Sequence, residues 1–535
     1  MNEPHLTLRQ LSVWLILALT LITLPYVWVA ATTPPGQVFT ATLINPDDTS
    51  VYLSAIRQGR EGQWLFAFQF SPEAIGPKFM YSFYLLLGHL SARLGGEALL
   101  WFHGARLLSS LFMLLALLAW VRAALPGQPR WQATAWFLAV FGGGLGWLAA
   151  ITGAPLKQIP ELGVSEWGVM MPLMATPHFA LGLGLVILYQ ACLLSAARSG
   201  QKRFWGATAV CGCLTGLTYP YMVPALGLIT GVYLLVLAGQ RRLPFWKLFL
   251  GGATVLGPMI PFVFYYGFWA YRDALWALTH VQDNVVPPPS ILGLALSLAL
   301  IGPMALIGAW RWWRDKREIL VLVWAVVQIA MLALPVSYSG RFLLALVVPL
   351  GTLAAYGLEQ VILPWLWQRG SPSFWSRLSS TPYDTIRRLI LILTLPSTLL
   401  AALFLTQAAA VRPDYPLFLP EADAQAVGWL AAHTSTDDLV LAHYPVGNYL
   451  PGQAPARVFL GQSYLTLDMA EKLALVETFW QPETTAVWRE QFLAEWGITL
   501  VYAGIYEQAL AETAVIPPGR LVYDEAGVRI YDVQQ

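Results

Sequence analysis

An acidic pair follows the first long apolar segment of the chain. Asp47 and Asp48 belong to the sequence Asn-Pro-Asp-Asp-Thr-Ser-Val-Tyr-Leu, which starts at Asn45 and is predicted to open a short amphipathic helix. On such a helix Asp48 and Tyr52 are four positions apart and share one face. Carboxylates at the edge of a hydrocarbon layer are costly to desolvate, so a bound cation or a catalytic task would account for them. The pair is therefore a candidate general base and a candidate divalent-metal ligand.

A second interpretation of the acidic pair is structural. An aspartate before Thr-Ser-Val-Tyr is a favourable helix N-cap, because its side chain can accept a backbone N–H. The two interpretations are compatible, since one aspartate can cap the helix while the other acts. Glu73 follows in the same loop, and its interest comes from its closeness to the pair. We predict Tyr52 and Glu73 as substrate-binding residues.

Further polar residues precede later apolar segments. Glu166 and His178 come before an apolar run that starts at residue 179, and Asn284 lies in another loop between apolar runs. A histidine at the start of an apolar helix is more often a cap or an interface residue than a catalyst. Spacing typical of a metal site, such as His-x-x-x-His, is absent. The functional interpretation makes Glu166, His178 and Asn284 substrate-binding, with Asp47 and Glu166 as the residues that would hold a metal ion.

An arginine stands at the start of another apolar helix. Arg341 follows the polar turn Tyr338-Ser339-Gly340. A guanidinium there suits a phosphate, because its planar fork can bind two oxygens at once. The alternative is an interfacial anchor, in which the long side chain reaches up to the lipid headgroups. The first interpretation makes Arg341 a candidate phosphate clamp, with Lys78 as the next candidate.

The composition is that of a polytopic helical membrane protein. Hydrophobic residues make up 57% of the 535 and charged residues 11%, and the mean hydropathy is +0.57. A soluble chain of this length would need more charged surface. Uncharged apolar runs recur at 11–31, 131–152, 179–197, 204–239, 248–270, 289–310, 319–340 and 389–411, with less pure runs at 79–94, 98–121 and 342–362. Runs of this length predict about 11 to 13 transmembrane helices. The net charge of +1 indicates no nucleic-acid partner.

Basic clusters orient the chain, because cytoplasmic loops carry the excess of lysine and arginine. Four clusters are predicted to be cytoplasmic, those around Arg203, Arg242, Arg314 and Arg388. The N-terminus is then cytoplasmic as well, whereas the loop 32–78 and everything after residue 411 lie outside. We therefore predict a multi-pass protein of the cell membrane with an extracytoplasmic C-terminal part.

Two domains are predicted from the change of composition near residue 411. Residues 1–411 form a transmembrane domain with the outer loop 32–78, and residues 412–535 form a small extracytoplasmic α/β domain. In the second domain the periodicity predicts helices at 421–433, 468–480 and 484–496, strands at 438–443, 457–461 and 498–502, and a hairpin of 521–523 with 528–531.

This arrangement resembles the GT-C class of membrane glycosyltransferases, which includes protein O-mannosyltransferases, aminoarabinose transferases and oligosaccharyltransferases. A nearer likeness is to uncharacterised bacterial members, whose pattern Asn-Pro-x-Asp-x-x-x-Tyr-Leu-x-x-x-x-Gln-Gly is similar to residues 45–59. Further matches are Pro72-Glu73, Gly144-Leu-Gly-Trp147, Pro177-His178, Gly340-Arg341-Phe342, and Arg457-Val-Phe-Leu-Gly461 with Thr466. The sequence departs from the mannosyltransferases in having Asp-Asp for Asp-Glu, and from the nearer relatives in having Gln462 where histidine is expected.

The resemblance implies a reaction and its participants. Asp48, or Asp47, would be the general base at an acceptor that is a lipid, a glycan or a protein. The hexose or pentose would come from a polyprenyl-phosphate carrier by a single inverting displacement. Arg341 or a divalent metal ion would stabilise the departing lipid phosphate, and no other cofactor is expected.

Two other functions compete with sugar transfer. A polytopic protein with buried polar groups also suits a transporter or flippase, although such proteins usually show repeated halves and charges within their spans. In this chain the carboxylates lie in predicted outer loops, which favours chemistry at the membrane surface. A non-catalytic cell-envelope assembly protein would leave Asp48 unexplained.

Overall fold

The computed structural model describes residues 8–155, 158–241, 244–269, 272, 285–369, 381–511 and 515–534. By length and composition, eight helices within these residues suffice to cross a membrane: Leu11–Ala31, Ala98–Ala124, Pro129–Ile151, Pro177–Ser199, Pro220–Gly239, Phe245–Phe268, Ser339–Arg369 and Pro382–Val411. A ninth span results if the bent pair Ile291–Ser297 and Ile301–Arg314 crosses as one. The prediction of a multi-pass helical membrane protein is confirmed.

The described residues provide fewer spans than the sequence predicts, because some apolar runs form short helices. The run at 79–94 becomes the helix Ser82–Leu94, and the run at 319–340 becomes Leu320–Leu332, each with 13 residues. At about 1.5 Å per residue such a helix covers about 20 Å, which is less than a hydrocarbon core of about 30 Å.

The helices and turns of the described residues have the following bounds. The α-helices are Leu8–Ala31, Thr49–Arg60, Ser82–Leu94, Ala98–Ala124, Pro129–Phe141, Gly146–Ile151, Pro160–Gly163, Met170–Met174, Pro177–Ser199, Lys202–Thr218, Val223–Gly239, Phe245–Leu256, Ile260–Phe264, Ile291–Ser297, Ile301–Arg314, Leu320–Leu332, Val347–Gly357, Leu363–Arg369, Pro382–Leu393, Pro396–Val411, Glu421–His433, Tyr444–Gln453, Met469–Trp480, Ala486–Trp496 and Ile505–Gln508. Short 3-10 turns lie at Pro46–Asp48, Pro220–Met222, Gly257–Met259 and Ser339–Leu343, and π-helical turns at Tyr265–Trp269 and Leu358–Ile362.

The glycine run at residues 142–146 interrupts one span. One helix ends at Phe141 and the next begins at Gly146. The carboxylate of Glu161 accepts the backbone N–H groups of Gly144 and Gly146, each at 2.5 Å, and so satisfies donors that the interruption would leave without partners. Burial raises the pKa of Glu161 to about 7, against the opposing effect of these hydrogen bonds.

The chain forms two compact units. The first is built mainly from Ala105–Trp269 and Val286–Gln407, and the second mainly from Tyr26–Gly104 and Ala408–Gln535. Within the second unit, strand β1, Gln37–Phe39, pairs antiparallel with strand β2, Phe418–Pro420. The predicted division near residue 411 follows composition, whereas the contacts place the loop 32–78 in the same unit as the C-terminal region.

The C-terminal region contains a five-stranded sheet. Its strands are β3 (Leu439–Leu441), β4 (Arg457–Val458), β5 (Leu500–Ala503), β6 (Arg520–Glu525) and β7 (Val528–Asp532), in the order β4-β3-β5-β7-β6. Strands β4, β3 and β5 are parallel, and β5, β7 and β6 are antiparallel. Ala526 and Gly527, both with positive φ, form the predicted hairpin turn between β6 and β7. The predicted helices and strands of this region are confirmed. The structure also contains the helix Tyr444–Gln453, which was not predicted, because its prolines and glycines are typical of a loop.

Two helices of the second unit position the acidic pair. Thr49–Arg60 and Ser82–Leu94 approach each other at Gly59 and Gly88. A Cβ atom on Gly59 would lie 2.1 Å from the carbonyl oxygen of Leu85, and the reciprocal position at Gly88 is equally tight. Backbones this close leave no room for a side chain. The glycine that ends the Asn-Pro-x-Asp pattern therefore serves helix packing.

Candidate functional site

The acidic pair occupies the 3-10 turn Pro46–Asp48, directly before the helix Thr49–Arg60. Asn45 begins this turn in the left-handed conformation, with φ 52°, which asparagine tolerates better than most residues. Asp48 holds the N-cap position of the helix, but its side chain makes no capping hydrogen bond. Both carboxylates are half-buried. The capping interpretation therefore does not account for the carboxylate of Asp48.

The carboxylate of Asp48 faces the loop that follows β4. Its Oδ1 accepts hydrogen bonds from Gln462 Nε2 at 2.8 Å and from the Tyr464 hydroxyl at 3.1 Å. Two donors favour the ionised carboxylate, which is the form that a general base needs. Burial, with the charge of Asp48 as a further cause, raises the pKa of Tyr464. This hydroxyl therefore stays protonated and remains a donor.

The other aspartate is held by the helix after β3. The Tyr444 hydroxyl donates to Asp47 Oδ1 at 3.1 Å, and Asn448 Nδ2 donates to the Asp47 backbone carbonyl at 3.0 Å. Tyr444 and Asn448 are four residues apart on the helix Tyr444–Gln453, so both project from one face. Asn448 Nδ2 also lies 2.5 Å from the Tyr415 hydroxyl. Polar side chains thus surround both members of the acidic pair.

These donors come from one edge of the C-terminal sheet. Strand β3 ends at Leu441 and leads to the helix that begins with Tyr444, and β4 ends at Val458 and leads to the loop with Gln462 and Tyr464. Because β3 and β4 are parallel, their carboxyl ends lie at the same edge. Ligands of α/β sheets bind beyond the carboxyl ends of parallel strands. The acidic pair therefore lies where such a sheet offers a binding site.

Tyr52 and Glu73, predicted to bind substrate, make other contacts in the second unit. Tyr52 is 5% exposed and stacks on Tyr84, with ring centroids 4.5 Å apart. Glu73 Oε1 forms an ion pair with Lys472 Nζ at 2.5 Å. The ring of Tyr52 contributes to packing beneath the acidic pair, and Glu73 balances a buried charge.

Arg341 and Glu166 lie together in the first unit. Arg341 Nη1 donates to Glu166 Oε1 at 3.0 Å, and the two side chains are 11% and 4% exposed. The Tyr219 hydroxyl donates to the same oxygen at 3.2 Å. The guanidinium carbon of Arg341 lies 4.4 Å from the centroid of the Tyr221 ring, a cation–π contact. Two residues predicted separately as substrate-binding thus form one cluster, with Glu166 as the anionic partner of Arg341.

His178 belongs to the same cluster. Its Nδ1 lies 2.9 Å from Thr176 Oγ1, and its ring centroid lies 6.0 Å from that of Tyr219. The predicted residue Asn284 falls outside the described residues. In the first unit, the predicted residues Arg341 and Glu166 are therefore in direct contact, and His178 lies beside them next to their neighbour Tyr219.

A metal site does not emerge from these contacts. Within the described ranges, no three His, Cys, Asp or Glu side chains lie close enough together to hold a metal ion. Asp47 belongs to the second unit and Glu166 to the first, and one oxygen of each already accepts hydrogen bonds from protein donors. The metal at Asp47 and Glu166 stays a prediction.

The residues that hold the aspartates were not predicted as site residues. Tyr415, Tyr444, Asn448 and Tyr464 lie more than 300 positions after the acidic pair, and Gln462 was noted only as a departure from the family pattern. A signal for three of them exists in the sequence. Tyr444, Gln462 and Tyr464 each follow a predicted strand, at the end where α/β sheets bind ligands.

Known proteins match this chain by structure and not by sequence. No protein-family profile and no protein of curated function matches the sequence. The oligosaccharyltransferase of Archaeoglobus fulgidus in the apo form has a TM-score of 0.59 and 11% identity, over 92% of this chain and 70% of its own. ArnT from Cupriavidus metallidurans bound to undecaprenyl phosphate has a TM-score of 0.53 and 15% identity, over 98% of both chains. The mycobacterial arabinofuranosyltransferase AftD has a TM-score of 0.55 and 14% identity, over 99% of this chain and 40% of its own.

All three are membrane glycosyltransferases of the GT-C superfamily. The chain therefore has the GT-C fold, as the sequence resemblance implied. Oligosaccharyltransferases of Archaeoglobus fulgidus have also been solved with an inhibitory peptide and a dolichol-phosphate, and with Zn and sulfate. These likenesses show the fold of the chain, while its chemistry depends on the residues around Asp48 and around Arg341.

Proposed function

We propose that this chain is a glycosyltransferase that moves a sugar from a polyprenyl-phosphate donor to an acceptor on the outer face of the membrane. The observation that carries the proposal is the carboxylate of Asp48, which accepts hydrogen bonds from Gln462 and Tyr464 at a sheet edge suited to ligands. The GT-C fold supports a transferase. The solved complexes of similar proteins with undecaprenyl phosphate and dolichol-phosphate support a lipid-phosphate carrier.

In the proposed reaction Asp48 accepts the proton of the attacking group on the acceptor. The attacking oxygen or nitrogen forms a bond to the anomeric carbon of the sugar while the bond from that carbon to the phosphate oxygen breaks. The electron pair leaves with the lipid phosphate, and Asp48 later returns the proton to solvent. A single displacement inverts the anomeric centre. Asp47, one residue earlier, is the second candidate for the base.

We assign the lipid phosphate to the cluster of Arg341. A planar guanidinium binds two phosphate oxygens and stabilises the charge that grows as the sugar leaves. Before the donor binds, Glu166 keeps the buried guanidinium paired. An anionic phosphate can take over this role, so Arg341 would exchange Glu166 for the phosphate when the donor enters. Tyr219 and His178 border the same position.

A divalent metal is the alternative source of positive charge in this proposal. One oligosaccharyltransferase of Archaeoglobus fulgidus has been solved with Zn and sulfate. In this chain the described residues do not form a metal site with three protein ligands. No step of the proposed reaction therefore passes through a metal.

The proposed orientation can be tested by labelling. Cysteine placed at exposed Ser435, in the C-terminal region, should react with a membrane-impermeant maleimide added from outside. Cysteine at exposed Lys316, in a basic cluster, should react only after the membrane is opened. The variants Ser435→Cys and Lys316→Cys are made in a chain without Cys192, Cys211 and Cys213. Labelling of both from the same side would contradict the proposed topology.

The proposed function is tested by following the fate of a sugar-labelled lipid. The full chain is placed in liposomes with a polyprenyl phosphate that carries a radiolabelled sugar, and a membrane extract supplies acceptors. Sugar transfer predicts that label leaves the lipid and free polyprenyl phosphate accumulates, at a rate that depends on Asp48. A flippase would move the intact labelled lipid across the bilayer without this loss. Binding without either change would indicate an assembly protein.

A further inference from the structure

Asp48 is held by a loop that has no regular secondary structure. Gln462 and Tyr464 lie in the segment Gly461–Leu467, between β4 and the helix Met469–Trp480. Inside the loop, the N–H groups of Leu465 and Thr466 both donate to the Gln462 carbonyl at 2.9 Å. These local bonds shape the loop, but its position relative to Asp48 requires contacts with other segments.

The ammonium of Lys472 supplies such contacts. The side chain is 2% exposed, and Nζ donates to the Leu467 carbonyl at 2.7 Å, to Ser71 Oγ at 3.2 Å and to Glu73 Oε1 at 2.5 Å. An ammonium has three N–H donors, so all of them are used. Lys472 therefore ties the end of the loop to the segment that contains Ser71 and Glu73.

The hydroxyl of Ser71, like the ammonium of Lys472, uses all of its hydrogen-bonding sites within the protein. It accepts the N–H of Leu467 at 3.2 Å and the ammonium of Lys472, and it donates to Glu73 Oε2. A hydroxyl has one donor and two acceptor sites, so none is left over. Both oxygens of Glu73 consequently bind protein donors, Lys472 and Ser71. This arrangement suits a fixed support better than a group that binds substrate.

We infer that Lys472, Glu73 and Ser71 are positioning residues, which hold the loop Gly461–Leu467 so that Gln462 and Tyr464 meet Asp48. The inference rests on the proposed function, in which Asp48 is the base. It gives Glu73 a role different from substrate binding. Its physical basis is the cost of a buried charge without a partner, which keeps this network in one arrangement.

The surrounding structure does not depend on Lys472 alone. Thr466 Oγ1 donates to the Phe70 carbonyl at 2.7 Å, and Arg457 Nη1 donates to the Pro72 carbonyl at 2.9 Å. The bond from Arg457, a residue of β4, keeps the segment at residues 70–72 against the sheet when the ammonium is removed, and the bond from Thr466 still joins the loop to Phe70. Loss of Lys472 should therefore loosen the end of the loop while the fold persists.

The first test is hydrogen exchange in the full chain, which needs no turnover. In Lys472→Met, the amides of Leu465, Thr466 and Leu467 should exchange about tenfold faster, because the ammonium no longer holds this end of the loop. Glu73→Gln changes a partly exposed carboxylate and should therefore raise the exchange rate of the same three amides by less. Lys202→Met removes an exposed lysine of the first unit and should leave the exchange rates of these amides unchanged. Unchanged exchange in both Lys472→Met and Glu73→Gln would overturn the inference, whatever the chain catalyses.

The second test asks whether Lys472 acts through the loop. Lys472→Met should lower turnover about tenfold with donor affinity retained, and the same substitution should cause no further loss in a chain that already carries Gln462→Ala and Tyr464→Phe. General destabilisation predicts instead that the losses multiply, and that result would overturn the inference. A wild-type chain without any transfer activity would contradict the proposed function, while the exchange experiment would still decide the role of Lys472.

Discussion

Replacing Asp48 with asparagine should lower sugar transfer by about a hundredfold or more, because an amide cannot accept the proton of the attacking group. Asparagine has nearly the same size and keeps Oδ1 as an acceptor for Gln462 and Tyr464, which donate to it in the native protein. The fold should therefore persist, with the melting temperature close to that of the wild type. Turnover with a labelled polyprenyl-phosphate donor measures the effect.

Asp47→Asn is the matched control for this experiment. The bond from Asn448 reaches the backbone carbonyl of Asp47 and is unaffected by the substitution. The bond from Tyr444 to Oδ1 can be kept by the amide oxygen. We therefore expect a milder loss than in Asp48→Asn. Wild-type turnover in Asp48→Asn together with a large loss in Asp47→Asn would move the base to Asp47, and normal turnover in both would refute the assignment of the site.

Replacing Arg341 with methionine should reduce turnover by about a hundredfold or more, because the charge on the departing phosphate loses its main partner. Arg341→Lys keeps the positive charge but loses the planar fork, so partial impairment is expected. An interfacial anchor predicts that lysine serves almost as well as arginine. Donor binding and turnover of the two variants separate these alternatives.

Because Arg341 forms an ion pair with Glu166, Arg341→Met must also be tested in a chain that carries Glu166→Gln. Arg341→Met alone leaves the Glu166 carboxylate, which is 4% exposed, without its cationic partner, and this destabilises the fold for reasons unrelated to phosphate. In the chain with Glu166→Gln this cost disappears for the neutral methionine, so Arg341→Met is also compared there with the Glu166→Gln chain itself. Arg341→Lys is compared where Glu166 still balances the buried cation. If Arg341→Met retains donor binding and turnover in that background, the phosphate clamp is refuted and Lys78 is the next candidate.

The sequence predicts the C-terminal region well, since its strands and helices follow local periodicity. The strands near residues 440, 500 and 530 and the helix Glu421–His433 lie where alternation and helical spacing place them. The helix Tyr444–Gln453 was missed, because Pro445 and Gly447 favour a turn in isolation. Its formation depends on packing against the sheet and against the helix Thr49–Arg60, which it approaches so closely that a Cβ atom on Gly452 would lie 3.2 Å from Ser50. Tertiary contacts thus overrode local preference.

The number of membrane-spanning helices is predicted less well from the sequence, for a different reason. Hydropathy identifies apolar stretches, but it does not show where a helix ends inside one. The interruption after Phe141 is stabilised by bonds from Gly144 and Gly146 to Glu161, which lies in another segment. The N–H of Leu145 donates to the carbonyl of Leu296, close to the bend of 80° between Ile291–Ser297 and Ile301–Arg314. Composition does not reveal such partners in other segments, so composition alone overestimates the number of continuous helices.

The sequence by itself determined that this is a multi-pass membrane protein with an acidic pair in a polar loop, because composition, apolar run length and the Asn-Pro-x-Asp pattern are local properties. Only the tertiary structure decided which residues hold that pair. Gln462 and Tyr464 meet Asp48 across a separation of more than 400 positions, and Arg341 meets Glu166 across 175. Hydrogen bonds and ion pairs act over a few ångströms of space whatever the separation in sequence. The carboxylates could therefore be recognised in advance, whereas their partners depended on how the chain folds.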